Sequence, residues 1–119
     1  DPYYFEPHHN LAEAYIRVGN CQNAIKEFEY ALLLVPELVE SMLGLGKCHK
    51  KLGDYKKAIA YFEEALKIRP SYVNAFLELG FLHYFDLNEK KKGRFYFKQA
   101  LRLNPSLPNS GALTNLVKE

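Results

Sequence analysis

Four prolines, Pro2, Pro36, Pro70 and Pro105, divide this chain into steps of 34, 34 and 35 residues, and no other feature limits its fold as sharply. Whole classes of residue keep the same step. Leu11, Leu45 and Leu79 recur at 34, as do the small residues Ala12, Gly46 and Gly80 and the rings Tyr15, His49 and His83. Ala24, Ala58 and Gly93 follow at 34 and 35, as do Phe28, Phe62 and Phe97, and then Ala31, Ala65 and Ala100. A fixed period of this length means that one supersecondary unit is repeated. Each unit then buries its apolar face against its neighbours rather than in one central core.

Residues 37–70 show what the unit is. Val39, Met42, Leu45, Gly46 and His49 lie at helical spacing, which predicts a first helix. Leu52-Gly53-Asp54 breaks it: Gly53 suits a left-handed helix end and Asp54 suits the cap of a second helix. Ala58, Ile59, Phe62, Ala65 and Leu66 form the second apolar stripe. Pro70 stops that helix, and Ser71 is predicted to cap the next. Two helices approach closely only where side chains are small, which gives Gly46, Ala58 and Ala65 a purpose, with Phe62 filling the space beside them. The third unit is one residue longer. Counting back from Pro105 pairs Leu87 with Leu52 and Asn88 with Gly53; counting forward from Pro70 pairs His83 with His49. The extra residue therefore lies among Tyr84, Phe85 and Asp86, to be absorbed by a longer turn or by a π-bulge in the helix.

A helix-turn-helix unit of this length with these positions resembles the tetratricopeptide repeat (TPR). The resemblance implies an all-α, right-handed helical solenoid of antiparallel helix pairs. Residues 5–38, 39–72 and 73–107 are the expected repeats, with residues 1–4 the end of a preceding one. Residues 108–119 are expected to be a capping helix or the start of a further repeat, with Asn109 or Ser110 near its cap and Leu113, Leu116 and Val117 packing back. The first repeat departs most, with His8 where the family usually has a large apolar residue; the second fits best. The chain opens on Asp1 rather than Met, so it is expected to be a piece of a longer protein.

Composition removes several function classes. With 48% apolar and 25% charged residues the chain reads as an ordinary globular protein, neither disordered nor low-complexity. No apolar run reaches the roughly 18 residues that suggest a membrane span. A net charge of +2 is too mild to point to nucleic acid. Cys21 and Cys48 form neither a disulfide framework nor a zinc spacing; they read as two reduced thiols, which favours a reducing compartment such as the cytoplasm. No glycine-rich phosphate loop or nucleophile elbow is present. His49 and His83 share the packing position of Tyr15, so they read as satisfied imidazoles. His8 and His9 are adjacent and point different ways on a helix, and Glu63-Glu64 reads as solvated surface. No catalytic residue, cofactor or metal is assigned, and the chain is expected not to be an enzyme.

Binding is the expected activity. In the first helix of the third repeat, predicted over residues 72–85, Phe76, Leu79, Gly80 and His83 form the core stripe. Leu77, Phe81 and Tyr84 or Phe85 form a second one. A helix apolar nearly all round is either covered all round or presents a sticky face. The TPR resemblance implies that the first helix of each repeat lines a concave groove for partner peptides. Leu43, Lys47, Lys50, Lys51, Leu77, Phe81, Tyr84 and Phe85 are the expected groove residues. Glu6, His9, Asn10, Glu13, Arg17, Glu40 and Gly44 map there too. Lys47, Lys50 and Lys51 share a face and favour a peptide or helix with acidic flanks. A second cluster, Lys90, Lys91, Lys92 and Arg94, follows Asn88. TPR domains that hold the C-terminal carboxylate of heat-shock chaperones use a clamp of lysine, asparagine and arginine. The resemblance places His9, Glu13, Gly44, Asn74 and Glu78 at those positions, so that partner is not expected. Nucleic acid and membrane insertion are not expected either. Alternatives are self-association, or service as the substrate-recruiting arm of an enzyme such as a glycosyltransferase.

Overall fold

The computed structural model describes residues 4–118, and among these every regular element is helical. The repeat end expected at Asp1-Pro2 lies outside the described residues. The chain divides into two compact units, one ending at Pro70 and the other starting at Ser71.

In the first unit α1 (Phe5–Arg17), α2 (Cys21–Leu34), α3 (Val39–Lys51) and α4 (Tyr55–Ile68) pack each on the next. The two tight turns are built alike. Gly19 and Gly53 sit at φ 79° and 84°, a region a Cβ disfavours. Just past them the Asn20 N–H donates to Tyr15 O and the Asp54 N–H to His49 O, both at 2.8 Å. The Asn20 and Asp54 side chains then accept from Asn23 N and Lys57 N, capping α2 and α4.

The repeated small residues are the floor for the repeated rings. Phe28 and Phe62 are wholly buried. A Cβ placed on Gly46 would stand 2.4 Å from the Phe62 ring, and one on Gly44 would stand 2.2 Å from Phe28. Leu45 is buried beside Phe28 and Ala24. Its counterpart Leu11 is 43% exposed, because among the described residues no helix precedes α1 to cover it.

The second unit holds α5 (Val73–Phe81), a π-helical turn (Leu82–Asp86), α6 (Lys90–Leu103) and α7 (Ser110–Lys118). Ser71 does not cap α5. That place falls to Tyr72, without a side-chain bond, because the first backbone bonds of α5 run from Ala75 N and Phe76 N to Tyr72 O. The extra residue of this repeat sits in the π turn, where the Leu87 N–H reaches back five residues to Leu82 O at 3.0 Å. Asn88 follows at φ 54°, doing the work of Gly53. The Glu89 N–H donates to His83 O at 2.7 Å.

Phe97 is fully buried over Gly80, where a Cβ would meet the ring at 2.5 Å. α7 packs back on α6, with Leu113 buried and Leu116 and Val117 half-buried around Tyr84 and Phe97. Its first backbone bond, Leu113 N–H to Asn109 O at 3.0 Å, places Asn109 at the cap.

Candidate functional site

The strongest candidate is an apolar groove in the second unit. Leu77 and Phe81 stand one turn apart on α5, and Phe85 follows on the π turn. Leu107, Ala112, Leu113 and Leu116 form the opposite wall. Together they line a cavity of about 520 Å³, with Asn74, Pro108 and Asn109 completing the rim. Phe81 is 36% exposed and Phe85 60%. Their rings stack at 6.4 Å, and Phe81 rests edge-on against buried Phe97 at 5.2 Å. The groove therefore has an aromatic floor and no charged side chain in its lining.

Tyr84, expected beside these residues, is not in this lining. It is 5% exposed and turned into the core, against Phe97, with its backbone lying over Gly93. The π turn puts an extra residue into the turn and so shifts the register of the side chains that follow, with Phe85 facing outward and Tyr84 inward. Leu107 and Ala112 in the opposite wall are not among the expected groove residues; the signal for that wall is the apolar spacing after Pro105, where Leu113 and Leu116 are expected to pack back.

The lysine face belongs to the first unit. Lys47 and Lys51 are exposed on α3, while Lys50 and Leu43 are half-buried. Gly44, mapped to the same surface, is buried beneath Phe28. His9 is bound to Ser41 Oγ at 2.8 Å and lies 3.7 Å from Glu13. In the second lysine cluster, Lys90 sits 5.7 Å from the centre of the Tyr84 ring and Lys92 pairs with Glu89 at 3.8 Å.

The histidines serve packing. His8 donates to Glu27 at 2.7 Å and stacks on Tyr30. His83 is buried, donates to Glu89 Oε1 at 3.0 Å and stacks on Tyr96. That hydrogen bond, more than the nearby Lys92, holds the Glu89 carboxyl below its usual value. Among the described residues no three His, Cys, Asp or Glu side chains converge to hold a metal ion. No described helix is long and apolar enough to cross a membrane.

His49 yields a pH prediction. It stacks on Tyr61, and burial followed by the Lys57 charge holds it below its ordinary value of 6.5. The folded chain thus binds a proton at His49 less readily than the unfolded chain, so protonation favours unfolding. The stability from this site is complete above about pH 6.5 and declines as pH falls below it. Melting curves between pH 7 and 5 should show a shallower decline for His49→Phe, which keeps the stacked ring and removes the titration. An unchanged slope would mean that His49 stays as basic in the fold as in the unfolded chain.

Comparison with known proteins agrees with the helical-repeat fold. The pattern of the tetratricopeptide repeat family matches residues 3–71, and a second tetratricopeptide repeat pattern matches residues 73–107. No curated protein sequence matches the chain. Among solved structures, the first TPR of Spaghetti (RPAP3) bound to the HSP90 peptide SRMEEVD is similar at a TM-score of 0.87 and 15% identity, covering 99% of this chain and 94% of that one. The Yersinia enterocolitica type III secretion chaperone SycD, in complex with a peptide of the translocator YopD, is similar at 0.85 and 19% identity, covering 95% and 88%. The second TPR domain of human RPAP3, in complex with the HSP70 peptide SGPTIEEVD, gives 0.85 and 17%, covering 100% and 99%. These identities speak for the fold alone.

Proposed function

The chain belongs to the tetratricopeptide repeat family, and from that footing we propose that it is a non-catalytic protein-interaction scaffold. Its groove between α5 and α7 takes an apolar segment, extended or helical, of a partner protein. The observation that carries this reading is the floor of Leu77, Phe81 and Phe85, left open beside α7. The peptides held by the similar RPAP3 and SycD domains support it. The α3 lysines are a second determinant, selecting a partner with acidic flanks.

The two determinants separate kinetically. Fully burying a large side chain is worth about 1.5–3 kcal/mol, and Phe81 has about a third of its surface left to bury, so Phe81→Ala should weaken binding about 2- to 6-fold, through faster dissociation and with little salt dependence. Lys50→Glu combined with Lys51→Glu should slow association, and that defect should shrink at high salt. Rates measured on a verified natural partner decide. If both variants bind as wild type does, neither surface is the site.

The same reading excludes the chaperone tails held by RPAP3. The resemblance puts Glu13 and Glu78 where a carboxylate would need cations, and Gly44, buried under Phe28, offers it no side chain. Titration calorimetry with the peptide SRMEEVD should give no measurable heat. Micromolar affinity would show that the clamp mapping is wrong.

A further inference from the structure

The first unit contains a thiol pair that the binding groove does not use. Cys21 opens α2 and Cys48 lies in α3, yet both belong to one buried cluster with Ala12, Ala24, Phe28 and Leu45. The two thiols lie in that same cluster, and both are free. They differ in access. Cys48 is fully buried, whereas Cys21 is 6% exposed and lines the wall of an open cleft of about 550 Å³. Gly19, Asn20, Gln22, Lys51 and Leu52 complete that cleft.

We propose that Cys21 and Cys48 are an oxidation site, closing to an intrachain disulfide when a peroxide enters the cleft beside Cys21. The Cys21 sulfur attacks one oxygen of hydrogen peroxide as its S–H bond breaks and releases the proton. The O–O bond breaks, the departing hydroxide takes up the thiol proton and leaves as water, and Cys21 becomes a sulfenic acid. The Cys48 sulfur then attacks the Cys21 sulfur. The S–S bond forms, the S–O bond breaks, and the Cys48 proton leaves with the hydroxide as a second water. Two thiols are oxidised and one peroxide is reduced to two waters.

The order of events follows from the surroundings. Burial, and Cys21 beside it, push the Cys48 thiol up to about 12, so Cys48 stays protonated and is the slower, resolving partner. Cys21 is the one a small oxidant meets. The bridge ties the start of α2 to the middle of α3, the helix that carries Lys47, Lys50 and Lys51. Closing the loop from residue 21 to residue 48 also restricts the unfolded chain.

Folded wild-type chain is treated with hydrogen peroxide at neutral pH, alkylated, and mapped by mass spectrometry without reductant. The expected result is one intrachain Cys21–Cys48 peptide pair, with both thiols lost together. The melting temperature should exceed that of the reduced chain by several degrees. Cys48→Ala should stop at a Cys21 sulfenic acid trapped by dimedone; if that variant does not fold, the wild-type map decides alone. Two thiols still open to alkylation would overturn the proposal. So would Cys21 oxidised to sulfinic acid with Cys48 free, or a bridge that forms only between chains or only in urea.

Discussion

Phe62→Ala should cost the first unit about 3–5 kcal/mol, the usual loss for removing a fully buried ring from a packed interior. Phe62 is wholly buried, and its ring covers Gly46 so closely that a Cβ there would stand 2.4 Å away. The ring cannot swing aside, so Gly46→Ala should also destabilise, by about 1–3 kcal/mol, despite the better helix propensity of alanine. The two effects should not add. Once Phe62 is alanine, the methyl of Gly46→Ala enters vacated space and should be neutral or stabilising. A double-mutant cycle in urea should therefore give a coupling of at least about 1 kcal/mol. A loss below about 1 kcal/mol for Phe62→Ala would mean that its ring does not fill a helix interface, and the repeat register would be wrong.

Gly93→Ala should be the most damaging single-methyl change in the second unit. The equivalent position is alanine in the first two repeats, Ala24 and Ala58, both fully buried. At Gly93 a Cβ would meet Tyr84 at 2.5 Å from its Cβ, 2.8 Å from its Cα and 2.9 Å from its N. Two of those atoms are backbone, so no rotamer change relieves the contact, and α6 must move off the π turn. The expected loss is about 2–3 kcal/mol or more, although the same change on an open helix would gain about 1 kcal/mol. Ala58→Gly is the control and should cost only about 1 kcal/mol. Hydrogen exchange should show the loss in α6 and the π turn. A Gly93→Ala chain as stable as wild type would show that the π turn does not rest on this glycine.

That π turn marks how far the groove was legible from residues alone. Leu77 and Phe81 could be assigned to one face because a helix repeats every 3.6 residues. Three residues on, helical spacing admits either Tyr84 or Phe85, and the inserted residue can lie in a longer turn or in a π-bulge. The two choices rotate the following side chains differently. The structure takes the π form, which buries Tyr84 against Gly93 and turns Phe85 out.

The helix pairs and their punctuation follow from local residue spacing. Gly53 and Asn88 at left-handed turns and Asp54 as a cap are set by neighbours within one or two helical turns, and the repeat step alone marks Phe28, Phe62 and Phe97 as equivalent rings. What covers each face comes from the packing of one helix on another. Gly44, expected in the groove, lies buried because Phe28, sixteen residues earlier, reaches it. Leu11 repeats the pattern of Leu45 yet stays exposed, for want of a preceding helix among the described residues. The second wall of the groove comes from α7, and the pairing of Cys21 with Cys48 from the packing of α2 on α3. Periodicity records which face of a helix is apolar. Which distant side chain lies on that face depends on contacts between residues that share no local spacing, and those exist only once the helices have packed.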